Sequence, residues 1–429
     1  MKQLFLLLLL LFSININAQW VLQSDNLNVY MYKVQFTSDN TGFIVGTINS
    51  ANYFIKTTNS GNNWNSSLIP YISSSPGKQS FVNDNTGWIC GFFYNDVCGM
   101  VLKTTNQGQT WDSTRVAYTY ALIDIQFVNN NTGWTLARSV VHTGYSIFKS
   151  TNGGLNWYSQ LTINGSNINL YDQHFVNSNV GFITGTDTNT NTPLIYKTTN
   201  SGVNWNRIDF SNDFICDNLF FVNENTGYTV SMIGNISKTT NGGYNWISKV
   251  IPDLQKMYLS VFFLNENTGY VSGWDFSKSS SLIIKTSNGG NNWVSQIANP
   301  NTSLKSIFFI NPNTGWTVGN NKIFKTINGG STFINQISTE IPSEFSLSQN
   351  YPNPFNPTTS IKFEIPKTSL VKISVFDVTG KELEVLVNEQ LHAGTYQTIW
   401  NGSNYSSGVY YYRINSGNYT ETKRMALIK

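Results

Sequence analysis

The sequence predicts an all-β protein, a seven-bladed β-propeller followed by a small immunoglobulin-like β-sandwich. Three observations carry that expectation. The stretch Lys56-Thr57-Thr58-Asn59-Ser60-Gly61-Asn62-Asn63-Trp64 returns seven times, with Trp111, Trp157, Trp205, Trp246, Trp293 and finally Phe333 in the place of Trp64. A second unit precedes each copy, first as Phe36-Thr37-Ser38-Asp39-Asn40-Thr41-Gly42-Phe43 and last as Phe309-Ile310-Asn311-Pro312-Asn313-Thr314-Gly315-Trp316. Its glycines (Gly42, Gly87, Gly133, Gly181, Gly227, Gly269 and Gly315) fall 42 to 48 residues apart. Two tight-turn signals in a period of that length give four short strands per unit, and the 3.6-residue patterning of a helical solenoid is absent. The third observation is a change of composition after about residue 340, where a proline-studded segment leads into alternating strands.

Taken in order, residues 1–18 read as a secretory signal peptide: Lys2, a short apolar run from Leu4 to Phe12, then Ile16-Asn17-Ala18. The run is too short to span a bilayer, and no later stretch is long enough. Trp20-Val21-Leu22 follows and resembles the outer strand that opens on each repeated Trp. It makes one outer strand too many for seven units, so the ring closes either with Trp20 or with the Phe333 strand.

The propeller is assigned to residues 19–338. Strand A of each unit ends at a Phe (Phe36, Phe81, Phe127, Phe175, Phe221, Phe263 or Phe309), a tight turn ends in Gly, and strand B follows. Strand C ends at a Lys, an Asn-Gly type of turn follows, and strand D opens on Trp. The repeated Phe and Trp are expected to form the core between blades, because no blade buries its own faces. Residues 339–344 read as a linker. Residues 345–429 carry strands at Ser360–Ile365, Val371–Val378, Glu384–Val387, Tyr396–Trp400 and Val409–Ile414, the pattern of a small β-sandwich.

Charged residues make up 11% of the chain against an average near 25%, and the net charge of +3 argues against nucleic-acid binding. Three cysteines are present. Cys90 and Cys98 flank one hairpin and would suit a disulfide in an oxidising compartment, whereas Cys216 reads as a small buried hydrophobe.

Two resemblances rest on these motifs. Thr104-Thr105-Asn106-Gln107-Gly108-Gln109-Thr110-Trp111 resembles the Asp-box, or bacterial neuraminidase repeat, with Asn where that pattern has Asp. Together with the Asn-Thr-Gly-aromatic unit, it is similar to the propellers of the photosystem II stability and assembly factor-like group. Tyr351-Pro352-Asn353-Pro354-Phe355, the turn from Asp377 to Gly380, the strand from Gly408 to Tyr411 and the basic C-terminus resemble the C-terminal sorting domain of the type IX secretion system. That resemblance implies a secreted or outer-membrane-surface protein, exported through the periplasm, whose residues 345–429 engage the secretion machinery and serve as a removable export signal.

The neuraminidase resemblance invites a sialidase reading, which the residues do not favour. The propeller has only Arg115, Arg138 and Arg207, each just beyond a repeat motif. Its glutamates before the linker, Glu224 and Glu266, fall in the Asn-Thr-Gly turn. His142 and His174 lack metal-ligand spacing, and no calcium loop, serine nucleophile or phosphate loop is present. Catalytic, metal and cofactor sites are therefore expected to be absent. Lys56, Lys103, Lys149, Lys197, Lys238, Lys285 and Lys325 end every strand C and read as solvated strand ends rather than as a basic ring.

In a four-stranded meander the A–B and C–D turns share one face of the ring, and the B–C and D–A connections share the other. The repeated turns occupy the first face. All variation falls on the second, which carries Tyr71, Phe92, Phe93, Tyr94, Tyr118, Tyr120, Tyr145, Tyr258, Trp274 and Phe276, an aromatic supply suited to a glycan or protein ligand. The expected function is a non-catalytic binding or adhesion module, with a divergent glycan-acting enzyme or an extracellular scaffold as the alternatives.

Overall fold

The computed structural model describes residues 20–25, 27–49, 51–72, 77–93, 98–139, 144–165, 167–209, 216–250, 253–296, 301–330, 335–402 and 405–429. The signal peptide assigned to residues 1–18, together with Tyr94 and His142, lies outside these residues. The described residues form nine four-stranded antiparallel sheets, of which seven are the blades. In the first blade, strands A to D are Tyr30–Phe36, Gly42–Ile48, Ala51–Thr57 and Asn65–Leu68, side by side in that order. The other A strands are Gln79–Phe81, Thr119–Phe127, Ile168–Phe175, Asn218–Phe221, Lys256–Phe263 and Leu304–Phe309, each ending at the repeated Phe.

Blade seven decides how the ring closes. Its outer strand is Val21–Ser24, which pairs with Ile323–Thr326 in the register Val21↔Lys325 and Leu22↔Phe324. Trp20 is 2% exposed and meets Phe309 edge-on at 5.7 Å. That is the contact Trp64 makes with Phe36 inside blade one, at 5.9 Å. The strand that follows Phe333, Asn335–Ser338, pairs instead with Gly394–Asn401 of the C-terminal sandwich. Residues 335–338, expected in the propeller, thus share a sheet with the tail.

The blades are joined by a continuous ring of aromatic stacks. Each A-strand Phe lies flat on the aromatic that follows the turn glycine in the preceding blade. The pairs are Phe43–Phe81 at 3.8 Å, Trp88–Phe127 at 3.6 Å, Trp134–Phe175 at 3.7 Å, Phe182–Phe221 at 3.5 Å, Tyr228–Phe263 at 3.5 Å, Tyr270–Phe309 at 3.8 Å and Trp316–Phe36 at 3.4 Å. Trp88, Trp134 and Trp316 are fully buried here. The strand-D tryptophans, expected at the core, are mostly half-buried and stand edge-on against the same phenyl rings, Trp111 excepted, which meets Phe54, because strand D is the outer edge of each blade.

The stack also explains the turn glycine. A Cβ at Gly133 would lie 2.5 Å from the Phe127 ring, and one at Gly87 would lie 2.2 Å from Phe81. The requirement is steric, since the phenyl folds back over its own turn. Gly133→Ala should therefore cost about 1–3 kcal/mol, the usual range for overpacking, read as a lower urea midpoint at unchanged m-value.

The repeated C–D turns are held by their own side chains. Thr57 Oγ1 accepts from the Gly61 amide at 2.9 Å, and Asn59 Oδ1 accepts from the Asn63 amide at 2.9 Å and from the Thr57 hydroxyl at 3.0 Å. The same pattern recurs at Thr104/Asn106, Ser150/Asn152, Thr198/Asn200, Thr239/Asn241 and Thr286/Asn288. Asn does this work without a charge, since its carbonyl oxygen is the acceptor; at Asn106 the amide nitrogen also donates to Thr110 Oγ1 at 2.8 Å. The turn then reaches the Asn-Thr-Gly turn of its own blade, as in the Ser60 amide to the Asn40 carbonyl at 2.9 Å.

Two expectations are corrected. The strand-C lysines are not simply solvated ends. Lys103, Lys149, Lys197, Lys238, Lys285 and Lys325 lie over the strand-B rings of Trp88, Trp134, Phe182, Tyr228, Tyr270 and Trp316, at 5.2 to 5.8 Å. Four of them also reach the next blade's C–D turn, for example Lys197 Nζ to the Gly242 carbonyl at 3.0 Å and Lys325 Nζ to the Ser60 carbonyl at 2.8 Å. They clamp neighbouring blades. Cys90 and Cys98, in turn, are not bonded to each other. Cys90 pairs with Val101 and Cys98 with Phe93, so the two side chains leave the hairpin on opposite faces. Cys216 is buried, as expected.

The C-terminal sandwich packs a sheet ordered Asn335–Ser338, Gly394–Asn401, Thr358–Ile365, Ser346–Leu347 with a second ordered Glu382–Leu391, Ser369–Phe376, Gly408–Ser416, Tyr419–Leu427. Its core includes Phe355, Phe363, Val375, Trp400, Tyr412 and Met425. The basic end of the chain, read as a tail after the last strand, is itself a strand: Met425 and Leu427 point inward, the half-buried Lys423 lies at the edge of that same face, and Arg424 is exposed on the other.

Candidate functional site

The sequence proposed ten aromatics on the variable face, and the structure separates them. Tyr145 and Tyr258 are buried, Phe92 is nearly so, and Phe93 and Trp274 are half-buried in their blades. Tyr71, Tyr118, Tyr120 and Phe276 are exposed, Tyr118 at 78%. Among the described residues, the aromatics brought together are those of blades two and three, with blade four supplying Ile168 and Asn169. Tyr120 meets Phe92 at 4.9 Å, and a cleft of about 280 Å³ is lined by Tyr120, Arg138, Tyr145, Ile168 and Asn169. The Arg138 guanidinium lies 5.9 Å from the Tyr145 ring, and the Tyr145 hydroxyl meets Asn169 Oδ1 at 3.3 Å. Tyr71, in the connection between blades one and two, and Tyr258, Trp274 and Phe276, in blade six, do not line this cleft.

The three arginines sit on three blades: Arg115 and Arg207 on the outer strands of blades two and four, and Arg138 on strand B of blade three. Arg207 is held by Asp209 at 2.7 Å and Asp187 at 2.9 Å. Glu224 and Glu266 accept hydrogen bonds from Asn177 and Asn223 of the preceding blades, at 2.9 and 2.6 Å, which makes them turn residues of the ring.

Sequence reasoning missed the centre of the ring. The A strands surround a cavity of about 290 Å³. Three residues before each repeated Phe stands a polar residue: Lys33, Lys78, Asp124, Asp172, Asn218, Ser260 and Ser306. Five of these accept from a backbone amide of the next blade: Asp124 from Gln173 at 3.2 Å, Asp172 from Leu219 at 2.9 Å, Asn218 from Val261 at 3.0 Å, Ser260 from Ile307 at 3.3 Å and Ser306 from Val34 at 3.2 Å. A lysine cannot accept, so Lys33 and Lys78 break the pattern.

Lys78 answers with ion pairs, to Asp124 at 3.0 Å and to Asp172. Burial pushes the Asp172 carboxyl up to about 7, the Asp124 charge adding to this and Lys78 opposing it. Burial acts on Asp124 as well, but the Lys78 and Lys33 charges outweigh it and hold that carboxyl below the usual range. Burial likewise lowers His174 to about 4 and keeps it neutral at physiological pH. One residue before the Phe, the ring reads Gln35, Ser80, Gln126, His174, Phe220, Phe262 and Phe308, with successive rings from His174 to Phe308 at 4.8, 5.1 and 5.2 Å. One side of the channel is polar and the other aromatic.

Residues 349–429 match the family described as the secretion system C-terminal sorting domain. The C-terminal module is a sorting domain. It indicates export through the type IX secretion system to the medium or the outer-membrane surface. Comparison with curated proteins gives no match. Among solved structures, the chain is similar to YCF48 bound to D1 peptide, at 16% identity and a TM-score of 0.57 over 73% of this chain and 99% of that one. It is also similar to YCF48 from Cyanidioschyzon merolae, at 13% identity and 0.56 over 72% and 98%. At these identities the likeness establishes the propeller fold. The sorting domain accounts for the tail, and among the described residues no helix is long and apolar enough to cross a membrane.

Proposed function

We propose that this is a secreted or cell-surface binding protein without catalytic activity, which the sorting domain delivers and whose propeller takes a glycan or protein ligand on the variable face. The observation that carries this reading is a division of labour among residues. The repeated Phe, Gly, Asn and Lys side chains hold turn to turn and blade to blade, whereas residues outside the repeat supply the cleft of Tyr120, Arg138 and Tyr145. An amphipathic ring beside a guanidinium suits the face of a sugar and its hydroxyl or carboxylate substituents. That a YCF48 propeller is recorded with a bound peptide is consistent with a binding role for the fold.

A binding reading is preferred to a hydrolytic one because the channel carboxylates are engaged. Asp124 accepts from the Ile125 and Gln173 amides and from Lys78, while Asp172 accepts from Leu219, Asn218 and Lys78. These contacts tie both carboxyls into the wall of the ring. The test is a glycan array probed with the mature full-length protein, followed by Tyr120→Ala and Arg138→Ala. Each substitution should weaken a detected ligand about tenfold or more, as hot-spot truncation does, with unchanged melting temperature; undiminished binding by both variants would exclude the cleft.

A further inference from the structure

We propose that the central channel is a second binding site, which takes a small organic carboxylate with an aromatic or apolar body, its carboxylate on Lys33 and its body against Phe220, Phe262 and Phe308. This site is separate from the variable-face cleft and does not depend on it.

Five of the seven members of the polar ring are bound to the next blade, and Lys78 is consumed by two carboxylates. Lys33 Nζ makes no hydrogen bond or ion pair among the described residues, although it lines the cavity. Asp124 and Asp172 attract the half-buried Lys33 ammonium without forming an ion pair with it, and burial lowers the Lys33 pKa in spite of them. The charges within the channel are not evenly spread. Lys33 and Lys305 stand on the neighbouring blades one and seven, whereas Asp124 and Asp172 stand on blades three and four and face Lys78. An anion entering the channel therefore finds its charge complement at Lys33.

The rest of the cavity wall sets the body of the ligand. Phe220, Phe262 and Phe308 form an aromatic arc on blades five to seven, two residues along the strand from the polar ring and on the same face. Two residues of strand span about 6–7 Å, so the level of Lys33 on blade one and the level of the aromatic arc on blades five to seven are offset by about that much along the channel. That is the separation of a carboxylate and a ring joined by two methylenes. Sites of this size that combine an apolar wall with one oriented charge are typical of small-ligand pockets.

The experiment is calorimetric titration of the mature full-length protein with three isosteric probes: 3-phenylpropionate, 3-phenylpropan-1-ol and 3-phenylpropylammonium. The acid should bind, the alcohol on the order of tenfold more weakly, in line with the loss of a charge-assisted hydrogen bond, and the ammonium not at all. Lys33→Met, which keeps the stem and removes the charge, should bind acid and alcohol alike, and Phe262→Leu should weaken both. Equal binding of acid and alcohol by the unaltered protein, absence of acid binding at about 10 mM, well below millimolar-class affinity, or undiminished acid binding by Lys33→Met would overturn the proposal. The comparison of probes on the unaltered protein stands even if a variant fails to fold.

Discussion

Trp20→Ala should destabilise the propeller by about 3–5 kcal/mol, the cost of emptying a fully buried tryptophan site. Trp20 packs with Tyr270, Ile283, Leu304, Ile307, Phe309 and Phe324, so it ties blade six to blade seven as well as completing the latter. Its strand carries the register Val21↔Lys325 and Leu22↔Phe324, and without it Ile323–Thr326 becomes an open edge. The same change at Trp64, which is half-buried, should cost clearly less. Urea unfolding with matched m-values separates the two. Equal losses at both positions would mean that the N-terminal strand is not the closing element.

Lys78→Met should be nearly as damaging, for an electrostatic reason. The substitution leaves the Asp124 and Asp172 carboxylates buried and facing one another, and stranding buried charge in this way costs about 3–5 kcal/mol. The loss should depend on pH. Asp172 is already raised to about 7 with Lys78 present, so its folded form favours the proton; its contribution is best below the unfolded value near 3.8 and worsens as pH rises toward 7. Asp124 has the opposite sign, its contribution being present above 3.8 and lost as pH falls. Removing Lys78 takes away the largest attraction that favours either charged form, so both carboxyls shift upward and the variant recovers as pH falls from 7 toward 4. Adding Asp124→Asn and Asp172→Asn to Lys78→Met should restore part of the loss at pH 7. A deficit that is flat with pH would contradict this account.

The ring was legible because a seven-fold repeat of turn chemistry leaves little choice of fold. The periodic glycines placed the turns, and the steric reason for them became visible only with Phe127 lying over Gly133. Closure was not legible, since Trp20-Val21-Leu22 and the Phe333 strand carry the same pattern and only packing on Phe309 distinguishes them. The lysines were misjudged because a charge that follows a strand reads as solvated unless its register against the strand-B aromatic is considered; Lys325 over Trp316 shows what that register does. The channel was missed although its signal was in the sequence. Counting back three residues from each Phe gives Lys33, Lys78, Asp124, Asp172, Asn218, Ser260 and Ser306, a polar position in strands otherwise built for a core. The aromatics of the variable face were overcounted because several are strand residues rather than loop residues: Tyr258, in the strand Lys256–Phe263, is 2% exposed, whereas Tyr118, between two strands, is 78% exposed.

The central claim is that a self-contained ring, closed from its N-terminal side, is exported by a tail that contributes no strand to any blade. The most direct measurement is limited proteolysis and immunoblotting of periplasmic and extracellular fractions from the native host expressing a chain that ends at Gly330. That truncation removes Asn335–Ser338 along with the whole sorting domain. The account predicts a compact, protease-resistant propeller confined to the periplasm, while the full-length chain reaches the surface or the medium. A truncated propeller found outside the cell at the level of the full-length chain, or one digested as readily as an unfolded chain, would contradict it.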